Sequence, residues 1–142
     1  MTSGQKLKSV YWIALAAGLM DASSGLLLML APKLALELMR ITPPDVHALV
    51  YIRFIGGFVF SVGSLYLIGL WRVYIANERV SLAILLGATA WVRLVICVLT
   101  ASAIATGALS LAWGTVTLTD GCLAVLQFYF VAKKWIHVEV AL

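Results

Sequence analysis

Two aspartates and two arginines, Asp21, Arg53, Arg93 and Asp120, stand inside apolar runs long enough to cross a bilayer, and their formal charges cancel. A charge at bilayer mid-depth raises the cost of insertion by about 2.5–3.5 kcal/mol, so such residues turn inward, find partners and mark sites. In that setting carboxylates and guanidinium groups have a short list of uses. They pair with one another, hold a polar headgroup or a quinone-like carbonyl, or carry a proton. Arg bridges two carboxylates better than Lys does, because its donors form a planar fork. Thr117 and Gln127 recur on the helical face of Asp120 and belong to the same polar set.

The elements that must hold these groups follow from composition. The chain has 142 residues, 63% hydrophobic and 11% charged, against roughly 45–50% apolar in a soluble domain. An all-α integral membrane protein of one domain, residues 1–142, is expected. Four apolar runs, about Val10–Ala31, Leu49–Trp71, Ser81–Ile104 and Ser110–Ala132, use up nearly the whole length. Each contains enough Leu, Ile, Val and Phe to outweigh one embedded ion. With a rise of about 1.5 Å per residue, Asp21, Arg93 and Asp120 fall within about one turn of the middle of their spans. Arg53 lies roughly 6 Å from the outer end of the second span, where its long stem can also reach lipid phosphates.

Lys6, Lys8, Arg72, Arg79, Lys133 and Lys134 flank the spans on one side, and only Lys33 and Arg40 lie on the other. The positive-inside rule then puts both termini in the cytoplasm. Tyr11, Trp12, Trp71, Tyr74 and Trp135 suit the inner headgroup boundary, and Tyr51 and Trp113 the outer one. The single long connection holds Pro32–Arg40, which reads as a short interfacial helix, followed by the breaker Thr42-Pro43-Pro44 and by Asp45 as a cap for the second span. That segment is either a plain connector or a lid over the bundle mouth.

Helical phase groups the small and polar residues. Ala14, Ala17, Gly18, Asp21, Ser24, Gly25 and Leu28 share one face of the first span; Arg53, Gly56, Gly57, Phe60, Gly63 and Ser64 mark the second. Thr89, Ala90, Arg93, Cys97 and Thr100 mark the third, and Trp113, Thr117, Asp120, Ala124 and Gln127 the fourth. Because lipid supplies no hydrophobic force between helices, close backbone approach and polar contacts must join them. The expectation is an antiparallel up-down-up-down four-helix bundle with an Asp21–Arg93–Asp120 group at its midplane. These ions are either mutual glue that fixes register or the lining of a binding cavity.

Other chemistry finds little support. Cys97 and Cys122 are too far apart along the bundle for a disulfide and read as packing residues. His47 and His137 fall on opposite sides of the membrane, and no metal site is expected. Gly56-Gly57 lacks the strand and loop of a nucleotide fingerprint, and no cofactor motif is present. The basic residues form no stripe suited to nucleic acid. The apolar start resumes after Ala22-Ser23-Ser24-Gly25 and is expected to be a retained helix.

The small-residue first span ending at Ala31-Pro32, the Arg53-Phe54-Ile55-Gly56-Gly57 opening of the second, Arg93 and Asp120 resemble small four-span bacterial membrane proteins of the DoxX-like kind, whose function is unknown. The resemblance implies a bundle in a bacterial inner membrane and transfers no activity. The leading expectation is a non-catalytic accessory subunit of a larger membrane complex, or a bundle binding a lipophilic ligand beside its Asp/Arg cluster. Its partners would be membrane lipids and other membrane-protein subunits. The first alternative is a membrane enzyme for an isoprenoid, sterol or quinone-like substrate, with Asp21 or Asp120 as acid/base and Arg93 or Arg53 holding an anionic or carbonyl group. The second is a proton-coupled carrier using the same carboxylates.

Overall fold

A computed structural model describes residues 2–136. Its helices are α1 (Ser3–Leu30), α2 (Pro32–Leu38), α3 (Leu49–Ala76), α4 (Arg79–Ala105) and α5 (Gly114–Ala132), with single 3-10 turns at Val46–Ala48 and Leu111–Trp113. Four segments, Gly4–Leu30, Val46–Ala76, Arg79–Ala105 and Leu111–Ala132, are helices long and apolar enough to cross a membrane. His137 lies outside the described residues.

Local chemistry explains where the helices begin and end. α1 starts well before Val10 because Thr2 and Gln5 form a capping box: the Gln5 backbone N–H donates to Thr2 Oγ1 at 3.3 Å and the Thr2 N–H to Gln5 Oε1 at 2.8 Å. α1 stops at Leu30, as the residue before a proline leaves the helical region, and Pro32 then opens α2. α2 closes with Arg40 in the left-handed region, φ 57°. The Ile41 N–H donates to the Leu36 carbonyl at 2.9 Å and the Arg40 N–H to that of Glu37 at 2.9 Å. This is a Schellman closure, and its usual apolar contact is the pairing of Leu36 with Ile41. α5 ends the same way: Lys134 has φ 50°, Trp135 N–H reaches the Phe130 carbonyl at 3.1 Å, and the two rings stack with centroids 5.0 Å apart. Trp135, expected as a boundary anchor, thus also folds back onto the core.

Two expectations at helix ends need correction. Asp45 offers no side-chain cap to the second long helix; its carbonyl takes the Ala48 N–H at 2.9 Å and a 3-10 turn comes first. The connection expected between Trp71 and Ser81 shrinks to Asn77-Glu78, because α3 runs on to Ala76 and Asn77 makes the reversal at φ 54°. Glu78 accepts from Arg72 Nε at 2.9 Å and from Ser81 Oγ at 3.0 Å. The Arg72 guanidinium, then Ser81, hold its carboxyl below the usual carboxylate range. Their small exposed contribution is present above the unfolded pKa and is lost as pH falls through the lowered folded value.

α1 packs chiefly on α3 and α4 on α5. The α1–α3 crossing is a backbone contact. A Cβ on Gly25 would meet Phe60 N at 2.3 Å, one on Gly56 the Gly25 carbonyl oxygen at 2.8 Å, and one on Gly63 the Ala22 N at 2.4 Å. Near the α3–α4 turn all four long helices join around Val10, Ala14, Tyr66, Leu82, Leu86 and Phe130. At the opposite end Leu36, Ile41 and Leu49 pack with Met39, Ile52 and Trp113. α2 packs there, a short helix within the segment Pro32–Arg40 where one was expected.

Candidate functional site

Arg93 stands at the middle of α4 and is 3% exposed. Its three nitrogens have separate partners: Nη2 donates to Asp21 Oδ2 on α1, Nη1 to Asp120 Oδ1 on α5, and Nε to the Tyr66 hydroxyl on α3 at 3.0 Å. The guanidinium also lies 5.6 Å from the centre of the Tyr66 ring, within cation–π range. Gln127 Nε2 donates to the same hydroxyl at 2.6 Å, and Thr89 Oγ1 lies 3.4 Å from Gln127 Oε1 while donating to the Leu85 carbonyl at 2.8 Å. One polar network therefore ties together all four long helices.

The expected Asp21–Arg93–Asp120 group is assembled, with Gln127 beside it. Thr117 sits apart and joins the same two helices as the Arg93–Asp120 pair, donating to Thr100 Oγ1 at 2.7 Å. Arg53 does not enter the buried cluster. It is exposed and, among the described residues, makes no ion pair. The inward face of α3 is fixed by Gly56, Gly63 and Tyr66 against its neighbours, and Arg53, at the flank of that face, is left exposed. Gly57, with open space where a Cβ would stand, is likewise off the contact face. Cys97 packs over Gly121, but Cys122 is exposed rather than packed.

Tyr66 is the residue that sequence reasoning missed. Its signal was present: it lies between Gly63 and Gly69 on the small-residue face of α3, and a tyrosine buried there needs a partner for its hydroxyl. We expect Tyr66→Phe to leave the Arg93 Nε–H and a Gln127 N–H without an acceptor, at about 1–3 kcal/mol. Thermal unfolding in detergent should show the loss. Tyr74→Phe, at a side chain 84% exposed, should show none.

Burying the ions does not by itself stabilise the chain, since desolvation consumes most of the Coulomb gain. The network fixes which helix faces meet. It also forms one wall of a cavity of about 780 Å³ between the α1–α3 pair and the α4–α5 pair. That space lies between the two apolar clusters, and its remaining walls are mostly apolar, among them Leu28, Ile52, Phe58, Val62, Ile96 and Trp113. Exposed lining residues mark a mouth on the flank of the helices: Met20, Phe54 and Phe58 on one side, Thr115 and Thr119 on the other. Such a volume falls within the roughly 300–1,000 Å³ of small-molecule sites.

Among the described residues no three His, Cys, Asp or Glu side chains are grouped so as to hold a metal ion. No protein-family model, curated protein or solved structure matches this chain.

Proposed function

We propose that the chain is an integral membrane protein of the bacterial inner membrane that binds a lipophilic molecule in the flank cavity, against Asp21, Arg93 and Asp120. In this reading the four long helices form an antiparallel up-down-up-down bundle with both termini in the cytoplasm. The register of the α1–α3 crossing supports the antiparallel order, since Gly18 faces Gly63 while Gly25 faces Gly56. The basic residues at Lys6, Lys8, Arg72, Arg79, Lys133 and Lys134 support the orientation. The resemblance to DoxX-like four-span proteins belongs to the same proposal.

The observation that carries the reading is the cavity itself. A membrane bundle held together by ions alone would close around them, whereas here an apolar space with a sideways mouth reaches the ion network. A molecule diffusing in the bilayer enters such a mouth without crossing water. The ions then have two tasks, holding register and presenting a polar wall to the bound headgroup.

A second reading, an accessory subunit of a larger complex, rests on the exposed small residues Ala101, Ser102, Ala105 and Gly107 at the end of α4, which would let another helix approach closely. One experiment addresses both. After gentle extraction from native membranes, native mass spectrometry should find one lipophilic molecule retained per chain, and Ile96→Trp, which fills the cavity, should abolish retention. A stoichiometric protein partner with no retained lipid would favour the subunit instead. A chain that emerges with neither would reject both.

A further inference from the structure

We infer that the ligand of this cavity is a lipophilic cation, a single protonated amine on a hydrocarbon body. The inference rests on the ligand-binding reading above and adds the chemistry of the headgroup. Two carboxylates against one guanidinium give the buried cluster a formal charge of one negative unit. Asp21, Arg93 and Asp120 are the only ionisable side chains among the described residues of the cavity wall. Nothing else in the wall offsets that charge.

The donors and acceptors have the same sense. Each Arg93 nitrogen already donates within the network, and the side chain is 4% exposed. Two of its five N–H groups remain, but with so little of the side chain exposed it is poorly placed to receive an anion or a carbonyl. Each aspartate meets Arg93 through one oxygen only, leaving Asp21 Oδ1 and Asp120 Oδ2 without a hydrogen bond among the described residues. Among the described residues no buried side-chain oxygen lacks a partner, so both of these atoms reach accessible space. The Asp120 side chain, 15% exposed, is the most open member of the cluster. What the wall offers a ligand is therefore acceptor oxygens bearing net negative charge.

A headgroup that donates and carries one positive charge completes the cluster. An alcohol satisfies only the hydrogen bonds, and a carboxylate or phosphate opposes the charge. Phe54, Phe58 and Trp113 line the same walls, and aromatic rings attract a cation. In a region of low dielectric the excess charge has no water to screen it, which makes its neutralisation the dominant discriminating force.

The test uses the full chain in zwitterionic phosphatidylcholine nanodiscs, titrated with labelled dodecylamine, dodecanol and dodecanoate, each corrected for binding to empty nanodiscs. Dodecylamine should saturate at one per chain and bind at least about tenfold more tightly than either other probe. Asp120→Asn, which makes the cluster neutral, should reduce the amine to the level of the alcohol. Should that variant not fold, Asp21→Asn serves the same purpose, and the order of the three headgroups on the unaltered chain decides without either. Equal binding of amine and alcohol would overturn the cation and leave the lipophilic site standing. Preference for dodecanoate would overturn it and assign the headgroup to Arg93. If no probe exceeds empty nanodiscs, the ligand-binding reading falls as well.

Discussion

Arg93→Met should abolish most of the folded protein, although it replaces a charge with an apolar side chain of similar length in an apolar setting. The substitution leaves Asp21, 7% exposed, and Asp120 facing one another with no counter-ion. It also strips the Tyr66 hydroxyl of one donor. Removing one partner of a buried ion pair costs about 3–5 kcal/mol, comparable to the whole stability of a marginal domain at about 5 kcal/mol. Fluorescence-detected size-exclusion chromatography should show the monodisperse peak collapsing. Arg93→Lys should fall between, because an ammonium supplies charge but no fork to span two carboxylates and Tyr66. The informative control is the triple change Asp21→Asn, Arg93→Met and Asp120→Asn. Removing all three ions together avoids the orphaned charge, and such replacements are often neutral or stabilising. Recovery of the folded peak would show that the loss in Arg93→Met came from unpaired carboxylates. A folded and fully stable Arg93→Met would show instead that the three ions are not paired in the protein.

How much of this could be read beforehand depends on the scale of the feature. The four long helices were legible because each is set by some 20 consecutive residues. The ion group was legible because an ion in the middle of a long apolar run has few alternatives to an ionic partner, and Asp21, Arg93 and Asp120 do meet. Arg53 lay near a helix end, where snorkelling competes with burial, and phase alone could not decide between them. Tyr66 was overlooked because tyrosine is ordinarily a boundary residue, and only its partners on α4 and α5 reveal its place in the interior. A cavity was one of two readings of the ions, but its size and mouth could not be read. It is a gap between two helix pairs, and a gap depends on how far the pairs diverge, which no local pattern specifies.

The glycine contact between α1 and α3 should prove as sensitive as the ions. Gly63→Ala places a methyl 2.4 Å from the Ala22 N and 2.9 Å from the Asp21 carbonyl carbon. Neither atom belongs to a side chain that can turn away, so the helices must separate. Overpacking of this kind costs typically about 1–3 kcal/mol, and backbone contact along the crossing is lost as well. Gly25→Ala, whose methyl would lie 2.3 Å from Phe60 N, should behave alike. The double variant should be less damaging than the sum of the two, since one displacement of α1 relieves both clashes. Gly57→Ala is the contrast. It has nothing within 4 Å of the new methyl and should be neutral or stabilising by up to about 1 kcal/mol through helix propensity. Equal loss at Gly57 and Gly63 would show that the α1–α3 contact is not the one described. The Gly63 clash bears directly on the proposed function, because the backbone it displaces is that of Asp21, whose carboxylate meets Arg93 on α4. In protein that remains folded, Gly63→Ala should therefore weaken retention of the proposed lipophilic ligand further than its effect on stability alone would explain, while Gly57→Ala should leave retention unchanged.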